Sequence, residues 1–83
     1  MLDMERDVQM MLGMNIRCYR QRIGLSQEAL ADKAGIHRNY LGGVERGKRN
    51  ICLLNIAKIA TALGVEPCQL LMHDRANCKY IIE

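Results

Sequence analysis

Apolar residues recur at steps of three and four positions along most of this chain, which is the spacing of amphipathic helices. The first stripe extends from about Met10 to Ile23 and consists of Met11, Leu12, Ile16, Tyr19 and Ile23. Residues 1–9 either extend this helix or fray, and Gly13 in its body weakens the prediction of one continuous helix. The stripe stops at Gly24, so the pattern predicts a first helix over about residues 10–23.

Two short helices are predicted next, with a glycine between them. Ser26 is a good N-cap for a helix from residue 27 to 34, and Gly35 supplies the left-handed backbone that ends it. A third helix begins near residue 37 or 38 and continues to about residue 46, where Gly47 stops it. The residues of this pair that are predicted to face a core are Leu30, Ala31, Ala34, Leu41 and Val44.

The second half of the chain predicts a loop, two further helices and a tail. The loop is GKRNIC at 47–52, and the run LLNIAKIATAL at 53–63 has apolar residues at helical spacing, namely Leu53, Ile56, Ile59, Ala60 and Leu63. Pro67 suits the first turn of a short fifth helix over residues 67–72. In the tail, YII is a strand, a helix end or a frayed terminus. The chain therefore divides into an N-terminal extension or helix extension at 1–11, a domain at 12–72 and a tail at 73–83.

Composition agrees with an all-α fold. Leu, Ile, Ala and Met are frequent, Phe and Trp are absent, and Pro occurs once, which disfavours a sandwich or a barrel. A chain of 83 residues has room for a single modest core. No apolar run approaches the ~18 residues of a membrane span, and the acidic opening MLDMERDVQ has the wrong charge for a secretory or transit signal. We therefore expect a cytoplasmic protein with no membrane partner.

The cysteines do not form a metal-binding pattern. They are widely spaced, with no CxxC pair, at Cys18, Cys52, Cys68 and Cys78. Four cysteines allow three disulfide connectivities, but we expect free thiols that act as small hydrophobic side chains, with zinc binding or redox sensing as the alternative. His37 and His73 are isolated from the cysteines in the sequence, so we predict no metal and no cofactor.

Catalytic chemistry has little support. Neither a Ser/His/Asp set nor a Cys/His set can be assembled from the sequence, and a helical domain of 83 residues offers little concave volume for a substrate. We therefore expect that the protein is not an enzyme.

The basic residues are clustered, although the net charge of +3 is small. Three arginines fall within the six positions from 17 to 22. A second group falls within twelve positions, opposed only by Glu45, and consists of Arg38, Arg46, Lys48 and Arg49. Basic clusters in a small domain indicate a polyanionic partner, although a solvated charged face is the more common meaning of such a pattern.

The spacing of residues 27–44 matches a helix-turn-helix. Counted from Gln27 as position one, Ala31 is fifth, Gly35 ninth, Leu41 fifteenth and Val44 eighteenth. A small residue is needed at the fifth position because the two helices cross closely there, and Gly at the ninth allows the tight turn. Aliphatic residues at the last two positions seat the second helix on the core. Leu30, Ala34 and Ile36 also stand where the motif requires apolar contacts, and agreement at seven positions with a Ser cap in front makes the motif specific.

With these positions in place, the run from residue 16 to 65 resembles the helix-turn-helix family of the phage lambda and 434 repressors and Cro proteins. Within that family it is similar to the controller proteins of restriction–modification systems and to small SinR-like repressors. The resemblance implies a five-helix lambda-repressor-like DNA-binding domain that acts as a homodimer on a partly palindromic double-stranded operator. The resemblance does not distinguish a repressor from an activator, and we expect a repressor that can also activate. The alternative is an antitoxin or another protein-interaction module with the same fold.

The resemblance assigns roles within the motif. Arg38 and Asn39 match the positions of the second helix, the recognition helix, that read base edges. Arg can bond guanine through O6 and N7, and Asn can bond adenine through N6 and N7. Gln27 matches a glutamine that contacts a phosphate and also touches the recognition helix. Further positions that match contacts with the DNA backbone are Tyr40, Arg46, Lys48, Arg49 and Asn50.

Two features depart from the pattern of the family. His37 stands where the recognition helix usually has a Ser, Thr or Asp cap, and it either caps poorly or contacts a phosphate itself. Gly42 and Gly43 stand where the family often has a polar side chain, at a cost of about 2 kcal/mol in helix propensity relative to alanine. Either these glycines allow a close approach to DNA, or they are merely tolerated in a short packed helix.

The resemblance also implies a structural ion pair. Arg20 and Glu45 match a buried pair that links the first helix to the end of the recognition helix. Arg20 would then belong to the scaffold rather than to the DNA-binding surface. Breaking such a pair typically costs about 3–5 kcal/mol.

Two protein contacts are expected. A single small domain makes few base contacts, so we expect a homodimer, in which two-fold symmetry doubles them. The expected dimer interface consists of Val65, Leu70, Leu71, Tyr80, Ile81 and Ile82. Glu28 and Asp32 share one face of the second helix and match the acidic positions with which the lambda repressor contacts RNA polymerase. An ordinary solvated face is the alternative.

Overall fold

Five helices and the turns between them make up the described part of the chain. The structure is a computed structural model that describes residues 4–72, with side chains from residue 7 onward. The helices are α1 (Met4–Arg22), α2 (Gln27–Ala34), α3 (Arg38–Glu45), α4 (Leu53–Leu63) and α5 (Pro67–Leu70). Residues 4–72 contain no strand, and the predicted all-α, five-helix fold is confirmed.

The two helices of the motif begin and end where the sequence supplies caps. Ser26 precedes α2, and its Oγ accepts a hydrogen bond from the backbone N–H of Ala29 at 3.0 Å. Gly35 follows α2 with a φ of 73°, and its N–H reaches the carbonyl groups of Ala31 and Asp32. A residue with a Cβ is strained at this φ, so glycine both ends α2 and forms the turn of the motif.

Helix α1 is longer than predicted and α5 is shorter. Helix α1 starts at Met4 and is continuous through Gly13, so residues 4–9 extend it. Helix α5 ends at Leu70 rather than at residue 72. Ile23 and Leu53 were expected to face inward, but they are 49% and 75% exposed. Ile23 lies beyond the end of α1 and Leu53 is the first residue of α4, so neither side chain reaches the core.

Every helix contributes to one hydrophobic core. The largest fully buried side chains are Ile16, Leu30, Leu41, Val44, Ile59 and Leu70. They come from all five helices, and burying each of them contributes roughly 1.5–3 kcal/mol. Helix α3 packs mainly on α1, and α2 packs mainly on α4. The core therefore fixes both helices of the motif against the rest of the domain.

The side-chain amide of Asn15 on α1 binds the end of α5 and the residues that follow it. The Nδ2 of Asn15 donates hydrogen bonds to the carbonyl oxygens of Leu70 and Met72, both at 2.8 Å. The Leu70 side chain is 0% exposed, so it fills the core of its own chain and does not offer the surface that the predicted dimer interface required. Leu71 is exposed, and Val65 is half-buried against the core. The rest of that predicted interface lies outside the described residues, at Tyr80, Ile81 and Ile82.

The cysteines are not all alike. Cys52 and Cys68 are exposed free thiols. Cys18 is buried and disulfide-bonded, so the expectation of free thiols is wrong for this residue. Cys78 and His73 lie outside the described residues. Among the residues that the structure describes, no group of His, Cys, Asp and Glu side chains is arranged to hold a metal ion.

None of the helices within residues 4–72 is both long enough and apolar enough to cross a membrane.

Gly13 allows α1 to lie directly on the backbone at the end of α3. A Cβ built on Gly13 would collide with the Val44 carbonyl oxygen and would lie 2.6 Å from the Glu45 carbonyl oxygen. These are backbone atoms, which cannot swing aside as the end of a side chain can. The close approach therefore explains a glycine in the middle of a helix, where it costs about 1 kcal/mol relative to alanine.

Replacing Gly13 by alanine should lower the free energy of unfolding by about 1–3 kcal/mol, because the added methyl group overpacks the contact between α1 and α3. Gly42→Ala is the matched control, since a Cβ there would lie 3.4 Å from Arg46 Nη1 and 3.5 Å from Gln27 Oε1. Both atoms are at the ends of flexible side chains. Urea denaturation of the wild type and the two variants measures the difference. A Gly13→Ala protein at least as stable as Gly42→Ala would contradict this account.

Candidate nucleic-acid interface

The carboxyl end of α3 is anchored by a buried carboxylate. The Glu45 side chain is 0% exposed and accepts hydrogen bonds from Arg20 Nε at 2.8 Å and from Arg20 Nη2 at 3.0 Å. The Nε2 of Gln27 donates to the same carboxylate at 2.9 Å, and Arg17 Nε lies 3.9 Å from it. Arg20 Nη1 donates to the Leu25 carbonyl oxygen at 2.8 Å. The predicted pair of Arg20 and Glu45 is therefore present, and it joins α3 to α1 and to the start of α2.

Gln27 lies between α2 and the recognition helix α3. Its Nε2 is bonded to the Glu45 carboxylate, and its Oε1 lies 3.5 Å from where a Cβ on Gly42 would be. Gln27 is therefore bonded to α3 at Glu45 and lies close to Gly42, so it touches the recognition helix as the resemblance implied. Its contact with a DNA phosphate stays a prediction.

The amino end of α3 is exposed and has no side-chain cap. His37 occupies the N-cap position with extended backbone, but its imidazole makes no capping hydrogen bond. Arg38 and Asn39 form the first turn of α3, and both side chains are exposed. Within residues 4–72, no hydrogen bond or ion pair engages either of them. Two side chains with strong hydrogen-bonding groups thus lie at a helix end without a partner in the part of the chain that the structure describes.

The two glycines of α3 have different surroundings, although both are buried. A Cβ on Gly43 would lie 2.6 Å from the Cγ of Arg49 and 3.3 Å from its Nε, so the Arg49 side chain crosses directly over Gly43. A Cβ on Gly42 would meet only side-chain ends at 3.4 Å and 3.5 Å. A close approach therefore explains Gly43, and the atoms that approach belong to this chain. Nothing in the described structure requires glycine at position 42.

Arg49 also lies against Tyr40, which is held in turn from α4. The guanidinium carbon of Arg49 is 5.8 Å from the centroid of the Tyr40 ring, within the range of a cation–π contact. The Nδ2 of Asn55 donates a hydrogen bond to the Tyr40 hydroxyl at 3.2 Å. Asn55 was not among the predicted site residues. Its signal in the sequence is a single amide within the apolar run LLNIAKIA.

A rim of positive charge follows the carboxyl end of α3. This basic rim consists of Arg46, Lys48 and Arg49, all of which are exposed, and Asn50 is exposed next to them. Glu45 is the acidic residue adjacent in sequence, but its carboxylate is buried and bonded to Arg20. The acid therefore does not offset the charge of the basic rim at the surface. One end of α3 offers hydrogen-bonding side chains, and the other end is bordered by positive charge.

The acidic pair on α2 is also at the surface. Glu28 and Asp32 lie four positions apart on the helix, so they share a face, and both are exposed. Neither is engaged by a hydrogen bond or ion pair from another side chain in the described part of the chain.

Comparison with known proteins places this arrangement in a family. The helix-turn-helix family model matches residues 16–70. Among curated proteins, the control protein C.BamHI of Bacillus amyloliquefaciens is 42% identical over 69 residues, which span 82% of this chain and 85% of that protein.

Two solved structures are similar to this chain in both fold and sequence. The restriction–modification controller protein C.AhdI from Aeromonas hydrophila has a TM-score of 0.73 and 52% identity, covering 75% of this chain and 94% of that chain. The hypothetical transcription factor NHTF from Neisseria has a TM-score of 0.82 and 44% identity, covering 90% and 84% of the two chains. The chain therefore belongs to the helix-turn-helix (HTH_3, XRE-type) family of DNA-binding transcription regulators.

Proposed function

We propose that this regulator binds a specific operator by placing the amino end of α3 in the major groove of DNA. The observation that carries the proposal is the exposed pair Arg38 and Asn39, whose side chains have no hydrogen-bond partner within residues 4–72. An α-helix fits the major groove, where guanine and adenine present the acceptors and donors that these two side chains can bond in pairs. Arg38 is assigned to a guanine and Asn39 to a neighbouring adenine.

The basic rim and its neighbours are assigned to the sugar–phosphate backbone. Contacts of this kind set the register of the protein on DNA and supply affinity that falls with salt, without reading the sequence. The residues assigned to them are Gln27, His37, Tyr40, Arg46, Lys48, Arg49 and Asn50. Exposure of the basic rim and burial of Glu45 support this assignment, because the charged side chains exposed just after α3 are all positive.

We propose further that two copies act together on a partly palindromic site. A single domain of this size makes few base contacts, and a two-fold dimer doubles them and bridges two half-sites. Leu71 is 43% exposed beside the end of α5, and it is the member of the predicted interface that the described structure leaves available. Because this chain resembles restriction–modification controller proteins, we propose that it regulates restriction–modification genes.

Regulation of transcription has two modes in this proposal. A dimer seated on a promoter blocks polymerase, which makes the protein a repressor. Where the operator lies upstream of a promoter, the exposed carboxylates of Glu28 and Asp32 are placed to contact RNA polymerase and activate it. An antitoxin or other protein-binding module is the competing function, and it predicts no preference between DNA sequences.

Replacing Arg38 by alanine should cost about 1–3 kcal/mol of binding free energy on the best operator and relax the preference for guanine at one position per half-site. Asn39→Ala should act similarly at a neighbouring adenine. Arg49→Ala should weaken binding to all sequences nearly equally and reduce the salt slope by about one unit. The operator is obtained by selection from random DNA, and titrations on operator and scrambled DNA at several salt concentrations compare the proteins. An Arg38→Ala protein that loses equal affinity for both DNAs would show that Arg38 only clamps a phosphate.

Sedimentation should show a dimer of the wild type, both free and bound to operator. Leu71→Glu should shift the protein toward monomer and weaken operator binding, because it places a charge in an apolar interface. Leu54→Glu is the control, since Leu54 is an exposed leucine on α4 outside the proposed interface. If Leu54→Glu breaks the dimer and Leu71→Glu does not, the interface is wrongly placed, and a monomer in every condition rules out the dimer itself.

The double variant Glu28→Gln and Asp32→Asn should lose activation while its operator affinity stays within about two-fold of the wild type, because both residues keep their shape and lose only charge. Transcription from a promoter with an upstream operator gives one measurement, and a gel shift gives the other. Unchanged activation in this variant would assign Glu28 and Asp32 to an ordinary solvated face.

A further inference from the structure

The side chain of Arg49 already packs against its own domain in the absence of DNA. It crosses over Gly43, with its Cγ 2.6 Å from where a Cβ would stand. Its guanidinium carbon then lies 5.8 Å from the centroid of the Tyr40 ring. An exposed arginine on a loop ordinarily samples many rotamers, and each one lost on binding costs free energy. The close packing of Arg49 against Gly43 and against the face of the ring restricts the Arg49 side chain in the unbound protein.

The face of the ring is available because Tyr40 is held in one orientation. Tyr40 is half-buried, and the hydrogen bond from Asn55 Nδ2 to its hydroxyl, at 3.2 Å, fixes the far end of the ring. Asn55 lies on α4, which packs into the core through Ile56 and Ile59. A rigid helix thus holds the hydroxyl, the ring holds the guanidinium, and neither contact requires DNA.

We propose that Asn55 is a positioning residue for DNA binding, which acts on Arg49 through Tyr40. This inference rests on the proposed function, because it assigns Arg49 to a phosphate. Asn55 fixes the ring of Tyr40, and the ring keeps the guanidinium of Arg49 over Gly43. Arg49 therefore loses most of its side-chain conformational entropy when the domain folds, and it loses less when it binds a phosphate. The effect is independent of sequence, because phosphate contacts do not read bases.

The first test uses the free protein in solution. Ring current from Tyr40 should displace the side-chain NMR resonances of Arg49 from their values in an unstructured peptide. Asn55→Ala should return these resonances toward the unstructured values, and Gly43→Ala should do the same because its Cβ occupies the path of Arg49. Thr61→Ala is the matched control, since Thr61 is an exposed polar residue on the same helix. Arg49 resonances that are unchanged in Asn55→Ala overturn the proposal.

The second test is a mutant cycle on DNA. Asn55→Ala should weaken binding to operator and to scrambled DNA alike, by about two- to five-fold, which corresponds to the worth of an exposed cation–π contact. In an Arg49→Ala background, Asn55→Ala should have no further effect. Tyr40→Phe removes the same hydrogen bond together with the assigned contact of the Tyr40 hydroxyl with the DNA backbone, so it should weaken binding at least as much as Asn55→Ala does. Asn55→Ser keeps a hydrogen-bond donor on a shorter side chain, so it should weaken DNA binding less than Asn55→Ala does.

The outcomes separate this inference from the proposed function. If Asn55→Ala weakens binding equally with and without Arg49, Asn55 does not act through Arg49 and the inference is overturned. If Tyr40→Phe weakens binding less than Asn55→Ala does, Asn55 does not act through the Tyr40 hydroxyl, which also overturns the inference. A wild-type protein that binds no DNA overturns the proposed function and this inference together. A wild type that binds its operator, with binding unchanged in Asn55→Ala, overturns the inference alone.

Discussion

The position of the recognition helix depends on the burial of one carboxylate. The Glu45 side chain is 0% exposed, and a buried charge is tolerated only when paired charges and hydrogen bonds replace the lost water. Those replacements come from Arg20 on α1 and Gln27 at the start of α2. Helix α3 therefore cannot shift or turn along its axis without exposing Glu45 or leaving it unpaired, and the angle of its amino end is set by this requirement.

This constraint makes the two ends of α3 different. At the carboxyl end, Gly13 lets α1 pack directly on the backbone, and the acid that could neutralise the basic rim is withdrawn from the surface. At the amino end, Arg38 and Asn39 are exposed and unengaged within the described part of the chain. Helix α3 is held rigidly and has exposed hydrogen-bonding side chains at its amino end. This arrangement suits binding in a groove of DNA, because the positions of these side chains relative to the domain are fixed before binding.

Much of the fold could be predicted because its signals are local. Caps such as Ser26 and Gly35 mark helix ends through hydrogen bonds and a left-handed φ within a few residues, and apolar periodicity marks the inward faces. One error concerns packing at a distance: Leu70 was placed in a dimer interface, yet it fills the core of its own chain. Its burial is not encoded in the neighbouring residues alone. The other error is local, because Ile23 was placed inward although α1 ends at Arg22, two residues before the left-handed Gly24.

The sequence by itself determined the helix-turn-helix, because fixed spacings between residue types suffice to recognise it, and the resemblance to the family that follows from them predicted the pair Arg20 and Glu45. The adjacent glycines show what it left open. Gly42 and Gly43 are identical in type and share one helix, yet only Gly43 lies under the side chain of Arg49. Likewise, nothing near Asn55 in the chain indicates that it reaches Tyr40, fifteen positions away. Such contacts were decided by the tertiary structure, because they depend on which helix faces come together when the core closes.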